Sequence, residues 1–233
     1  METKREVCEV GRKLVESAVL SKGAHGSTFG KNLAEPCEVC VMELRAQVGA
    51  LCGWFPEVKT DFPKGDSRCL SRFLHVINDR CTDEQREELK QFVLLDLSKK
   101  SDELEVKRIY RCADWAVREV AVRRFKRIGR EDLAEKFAAF DPITDKVSAQ
   151  KARADADAAA AAYAAADADA AAAADAAAYA AADADAAAAA YAAAAADAAA
   201  AAYAAAAAAA YADAAAAWQA TLAFVHELIE MEA

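Results

Sequence analysis

Beyond Pro142 the chain contains neither glycine nor proline, so nothing in those residues forces a turn or breaks a helix. Long apolar runs are missing as well. The longest uncharged stretch of the alanine-rich part, residues 198–212, is alanine and tyrosine alone and falls short of the ~20 apolar residues that a bilayer-crossing helix needs. The first ten residues, METKREVCEV, show no apolar core behind a basic start, which argues against a secretory leader and for a cytoplasmic protein. Sustained alternation of apolar and polar residues, the mark of a half-buried strand, is absent. The glycines at 23, 26 and 30 are not followed by Gly-Lys-Ser/Thr, because Gly30-Lys31 leads into Asn32. No apolar strand precedes them, so a phosphate-binding loop is not read there.

What the chain does have is alanine. From about 148 to 217 it is nearly all alanine, with Tyr163, Tyr179, Tyr191, Tyr203 and Tyr211 and nine aspartates set into it. Alanine loses no rotamer entropy in a helix, so helix is the default there. One unbroken helix of about 80 residues would run ~120 Å at 1.5 Å per residue. A four-residue step overshoots a turn by ~40°, so the tyrosines scatter around the cylinder and the first half of the tail is poorly suited to docking by one face. Tolerated repeat slippage is an equally plain origin for such a stretch. The end differs: Trp218, Leu222, Val225 and Ile229 fall on one side of a helix, widened by Phe224 and Leu228, and read as a docking face toward the head or a second copy.

Charge is unevenly divided. Residues 1–150 carry 27 Lys+Arg and 26 Asp+Glu, whereas residues 151–233 carry 2 and 12. The acidity of the chain therefore lies in the tail, where interspersed aspartates keep an apolar rod in solution. Lys107, Arg108, Arg111, Arg118, Arg123, Arg124, Lys126, Arg127 and Arg130 crowd one segment that contains only Asp114 and Glu119 against them. On a helix this gives an apolar side and a basic side, with Arg111, Arg118 and Lys126 as the cations expected to meet phosphates. A merely solvated face is the plainer reading.

The first 142 residues read as helices joined by loops: 4–20 with Val7, Val10, Leu14 and Val19 inward, 37–51, 69–78, 82–97 opened by a Thr82/Gln85 capping box, 102–128 ended by Gly129, and 131–140. The expected fold is all-α, a compact helical head (1–142), an Ala/Tyr/Asp low-complexity helical tail (143–217) and an amphipathic C-terminal docking helix (218–233). Of the seven cysteines, Cys37 and Cys40 have the gap of a zinc knuckle, but Cys69 and Cys81 do not supply a matching pair. Reduced thiols serving as small core residues are expected instead.

Several short stretches resemble a family. Cys40-Val-Met-Glu43, Asn78-Asp79 and the run from Arg108 through Asp114, Trp115 and Arg118 are similar to uncharacterised bacterial and bacteriophage proteins that also end in long alanine-rich tails. The resemblance covers roughly residues 37–217 and departs at 51–67 and 97–101. It implies a bacterial or phage cytosolic protein and supplies no reaction. The expected function is a non-catalytic interaction or scaffold protein, without cofactor or metal, that meets a protein partner or a second copy through the C-terminal helix. The alternative is a nucleic-acid-associated protein using the basic helix, with the acidic tail as competitor. A third reading, a metal-dependent enzyme, would need Glu43, Asp79 and Asp114 in one pocket.

Overall fold

The computed structural model describes residues 6–23, 38–55, 63, 65–98, 101–163, 176 and 214–232. Expectations for Cys37, most of the glycine loop, and the aspartates and tyrosines of residues 164–213 lie outside the described residues. The chain divides into two compact units, Met1–Lys100 with Val225–Ile229, and Ser101–Phe224 with Glu230–Ala233.

In the first unit, α1 (Glu9–Ser17) leads into β1 (Val19–Leu20), and β2 (Glu38–Val39) leads into α2 (Val41–Leu51). α3 (Arg68–Arg80), α4 (Asp83–Glu88) and α5 (Lys90–Val93) follow. The chain is predominantly helical, as expected, but not purely all-α. β1 and β2 pair in parallel, Val19 opposite Glu38 and Leu20 opposite Val39. Two-residue strands cannot show alternation, which is why the sequence hides them. They are fixed by neighbours: Ser21 N–H donates to Val39 O at 3.0 Å, and Leu20 N–H to Glu87 Oε1 at 2.9 Å. Burial raises the Glu87 carboxyl, but hydrogen bonds from Lys90 and from Leu20 outweigh it and hold the group below the usual range.

The first helix is shorter and turned differently from expectation. Val10 and Val19 are 48% and 56% exposed, while Gly11, Leu14, Val15 and Ala18 are buried. Gly11 sets this rotation, since a Cβ there would meet Cys52 Sγ at 2.9 Å and Val48 Cγ1 at 3.1 Å. The bare backbone faces α2, and Val10 turns to solvent. Cys8 at the start of α1 and Cys52 at the end of α2 are joined in a disulfide. That overturns the expectation of reduced thiols throughout; Cys40, Cys69, Cys81 and Cys112 are free and buried.

Helix α2 is buried from Val41 through Gly49, polar residues included. The expected Thr82/Gln85 capping box opens α4, yet the helix expected to reach 97 is interrupted at Leu89 and ends at Val93. Within this unit the C-terminal segment contributes His226, whose ring lies 4.9 Å from Phe92 and whose Nε2 is 3.1 Å from Gln91 Oε1.

The second unit holds α6 (Asp102–Trp115), a π-helical turn (Ala116–Val120), α7 (Ala121–Arg127), α8 (Glu131–Ala138) and α9 (Lys146–Tyr163). It also holds the first part of α10 (Ala214–Glu230). Gly129 takes φ +73° just past α7, as a C′ glycine should, and Phe125 meets Phe137 at 4.9 Å across the α7–α8 hairpin. Asp145 caps α9 through Ser148 N–H at 2.8 Å. Ala149, Ala152, Ala156 and Ala159 are all buried, a 3-4-3 stripe along one side of α9. The expectation that the early tail would not dock by one face is therefore wrong for α9. Its stripe is made of alanine itself, not of the tyrosines, and small side chains let backbones approach closely.

Candidate functional site

Helix α6 runs from a serine cap, Ser101 Oγ accepting the Leu104 N–H at 3.1 Å, into the stretch that carries the Asp114-Trp115-x-x-Arg118 motif. Asp114 is the hub. Its carboxylate faces Arg118 Nη1 at 3.1 Å and Arg111 Nη1 at 3.3 Å, and Oδ1 accepts the Ile143 N–H at 3.0 Å. Glu119 extends the network to Arg111 Nη2 and to Arg123 Nη2, both at 3.2 Å. Trp115 stacks on Phe224 with centroids 4.5 Å apart and planes 4° from parallel, and the Arg111 guanidinium lies 4.9 Å from the centroid of the same ring. One turn of α6 thus holds two distant points of the chain: Ile143, where the alanine-rich part begins, and Phe224, near its end. Those two ends meet on one helix, far closer than the ~120 Å of a single unbroken rod.

The docking-face residues Trp218, Leu222 and Val225 are buried, together with Thr221, Phe224 and Leu228, while Ile229 is half-buried. Phe224 makes the contact to the motif, and its only sequence signal was its place beside the apolar stripe.

The basic side expected of residues 107–130 is divided. Lys107 pairs with Glu103 at 2.9 Å, Arg108 is buried with Glu105 at 3.0 Å, and Arg130 pairs with Asp132 at 2.7 Å. Arg111 and Arg118 belong to the Asp114 network. The neutralising acids at 103, 105 and 132 lie just outside the window that seemed so one-sided. Past the π-helical turn the picture changes. Arg123, Arg124, Lys126 and Arg127 line a cavity of about 570 Å³, closed on another side by Ala216, Ala217 and Ala220 of α10.

The motif residues of the first unit are engaged in holding backbone. Cys40 N–H donates to Glu43 Oε2 at 2.9 Å and Glu43 N–H to Cys40 Sγ at 3.3 Å, a capping box for α2 with a thiol in place of the usual hydroxyl. Asn78 Oδ1 accepts the Val41 N–H at 3.2 Å and its Nδ2 donates to Ser21 O at 2.8 Å. Asp79 Oδ1 accepts the Gly23 N–H at 2.9 Å, with His75 Nε2 3.7 Å from Oδ2. Arg86 closes this corner by donating to Asn78 O and Cys81 O at 2.8 and 3.0 Å. Burial pushes the Cys81 thiol up to about 11, with Arg86 pulling part of the way back.

Sequence reading missed the buried Arg45–Asp66 pair. Arg45 Nη2 donates to Asp66 Oδ1 at 2.9 Å, Nε to Oδ2, and Nη1 to Val93 O and Leu95 O at 2.7 Å each. Among the described residues no group of three His, Cys, Asp or Glu side chains is placed to hold a metal ion, and no helix is long and apolar enough to cross a membrane. The chain matches no protein-family model, no curated protein and no solved structure.

Proposed function

We propose that the chain is a non-catalytic interaction or scaffold protein of bacterial or phage type, whose helical part grips the alanine-rich segment at both ends and presents it to a protein partner. The observation behind this reading is the double hold of α6, with Asp114 on the Ile143 amide and Trp115 with Arg111 on Phe224. The most distinctive side chains of the motif are spent on seating chain segments, and Glu43, Asn78 and Asp79 are likewise spent on backbone amides. Four buried free thiols accord with a cytoplasmic setting, and the Cys8–Cys52 bridge is the observation against it. The test is capture from bacterial extract by the full chain and by a Phe224→Ala, Asp114→Asn variant. A partner retained by the wild type and lost by the variant, at equal helical content by circular dichroism, supports the reading; identical capture by both removes it.

A second reading, association with nucleic acid, is favoured by one observation: the four cations Arg123, Arg124, Lys126 and Arg127 around a single cavity. In this form it rests on the last turns of the basic helix, with Lys126 retained and Arg111 and Arg118 replaced as the phosphate-facing residues. Retention of the full chain on DNA at ~50 mM salt that falls steeply by ~200 mM is its signature; no retention at the lower salt eliminates it.

A further inference from the structure

The cavity between α7 and α10 has a chemistry narrower than a basic surface. Its volume of about 570 Å³ is that of a small-ligand site, which typically holds about 300–1,000 Å³. Its described lining carries four cations and three alanines, with no carboxylate and no aromatic ring. Arg123 and Lys126 are three residues apart, so like charges are neighbours on one helical face, a repulsion that an anion seated between them would relieve. Glu119, outside the lining, fixes Arg123 through one guanidinium nitrogen at 3.2 Å, orienting it and leaving its other donors unspent on that carboxylate. Arg124 Nε is shielded from water and finds no hydrogen-bond acceptor among the described residues, a donor of the kind that folded proteins nearly always satisfy. Among the described lining residues the alanine wall adds neither an aromatic ring nor a hydrogen-bonding side chain, so the cations dominate what the site can recognise. Guanidinium forks match phosphate oxygens two at a time, and a lysine adds a point charge.

We propose that this cavity is a binding site for a run of linked phosphates, recognised through charge and phosphate geometry. Two sources share that chemistry: a free polyphosphate, as in a nucleoside triphosphate, and consecutive phosphodiesters of a nucleic-acid strand. The site goes beyond the scaffold reading and does not depend on it.

The experiment titrates the full chain with sodium tripolyphosphate, and separately with a fluorescein-labelled single-stranded thymidine 20-mer, at ~50 mM and ~200 mM salt. The variants are Lys126→Gln with Arg127→Gln, both at exposed positions, Arg124→Gln, and the control Lys107→Gln, whose cation is paired with Glu103 away from the cavity. Tripolyphosphate should bind the wild type and the control alike, and each cavity variant should weaken it by about tenfold or more, the worth of a charge-assisted contact. If the oligonucleotide follows the same pattern, the source is the phosphodiester run; if only tripolyphosphate does, the site takes a free polyphosphate and the nucleic-acid reading falls for this cavity. Tripolyphosphate that does not bind the wild type overturns the site. So does tripolyphosphate that binds wild type and both cavity variants equally. An oligonucleotide held equally by wild type and cavity variants, with tripolyphosphate weakened by them, still supports the cavity as a free-polyphosphate site and places nucleic-acid binding elsewhere on the chain.

Discussion

Arg45 in the first unit and Arg118 in the second both face an aspartate, but their surroundings differ. Arg45 and Asp66 are 1% and 0% exposed, and Arg45 Nη1 donates to two carbonyls. Arg118 is 30% exposed and shares Asp114 with Arg111 and with a backbone amide. In the first unit the Arg45–Asp66 pair is sealed in and holds the connection after α2 against the end of α5. In the second the charges form a surface-reaching chain, Arg118, Asp114, Arg111, Glu119, Arg123, that leads from a buried hub to an open cavity. A sealed pair costs a great deal when broken and responds to nothing outside; a graded network yields more easily and leaves its outermost cation within reach of solvent.

The sharpest way to break that comparison is to remove one partner of each pair. Asp66→Ala should cost about 3–5 kcal/mol, since it strands a buried guanidinium, measured by urea unfolding. The double change Arg45→Met, Asp66→Leu should recover much of the loss, because apolar residues of similar volume replace buried pairs well. A small loss from Asp66→Ala would mean that water reaches the pair. Next in size is the disulfide. Bridges closing loops of this length contribute typically about 2–4 kcal/mol, and Cys8 and Cys52 are 44 residues apart. Cys52→Ser, or reduction, should lower the melting temperature accordingly. Intact mass after alkylation without reductant should show five of the seven cysteines modified in unfolded protein; seven would show the bridge absent.

Asp114→Asn should cost less, about 1–3 kcal/mol for charge-assisted hydrogen bonds in a partly exposed network, and should loosen Ile143, visible as faster amide exchange there. A loss equal to that of Asp66→Ala would erase the difference between the units. The smallest effect concerns pH. Cys81 is raised from 9.0 to about 11 by burial, so the unfolded chain releases this proton first. Its contribution to stability is full below pH 9 and is lost as pH rises from 9 to 11. The alkaline fall in stability should be shallower in Cys81→Ala than in the wild type; parallel curves would show that the thiol ionises alike in both states.

The parts legible in the sequence were those with a local signature. The Thr82 box and the Gly129 stop are fixed by residues three or four apart, and the C-terminal apolar face by helical spacing. What stayed hidden joins distant residues or defeats periodicity. Arg45 and Asp66 are 21 positions apart and the disulfide 44, and cysteine pairing does not follow from spacing. Two-residue strands leave no pattern. Cys40 drew notice only for its spacing from Cys37, and its capping role stayed hidden because cysteine is not among the usual helix caps; the basic stripe looked bare because further counter-charges stand just beyond both edges. The buried alanines of α9 and the seating of Phe224 also change how the tail should be probed. Deleting residues 148–233 would strip packed surface from both units, so charge-neutral substitutions are the cleaner test of tail and cation competition.

The π-helical turn at Ala116–Val120 acts as a spacer in the reading frame of the helix. Such a turn arises where an α-helix takes in one extra residue, and each residue advances an α-helix by about 100°. It therefore decides in which direction everything after it points relative to Asp114 and Trp115. Deleting Val117 would let the helix close into regular α register while leaving the composition of the cavity lining untouched, and would swing Arg123, Arg124, Lys126 and Arg127 roughly a quarter-turn away from the alanine wall. The address of those cations is thus written in one backbone residue as much as in their own side chains.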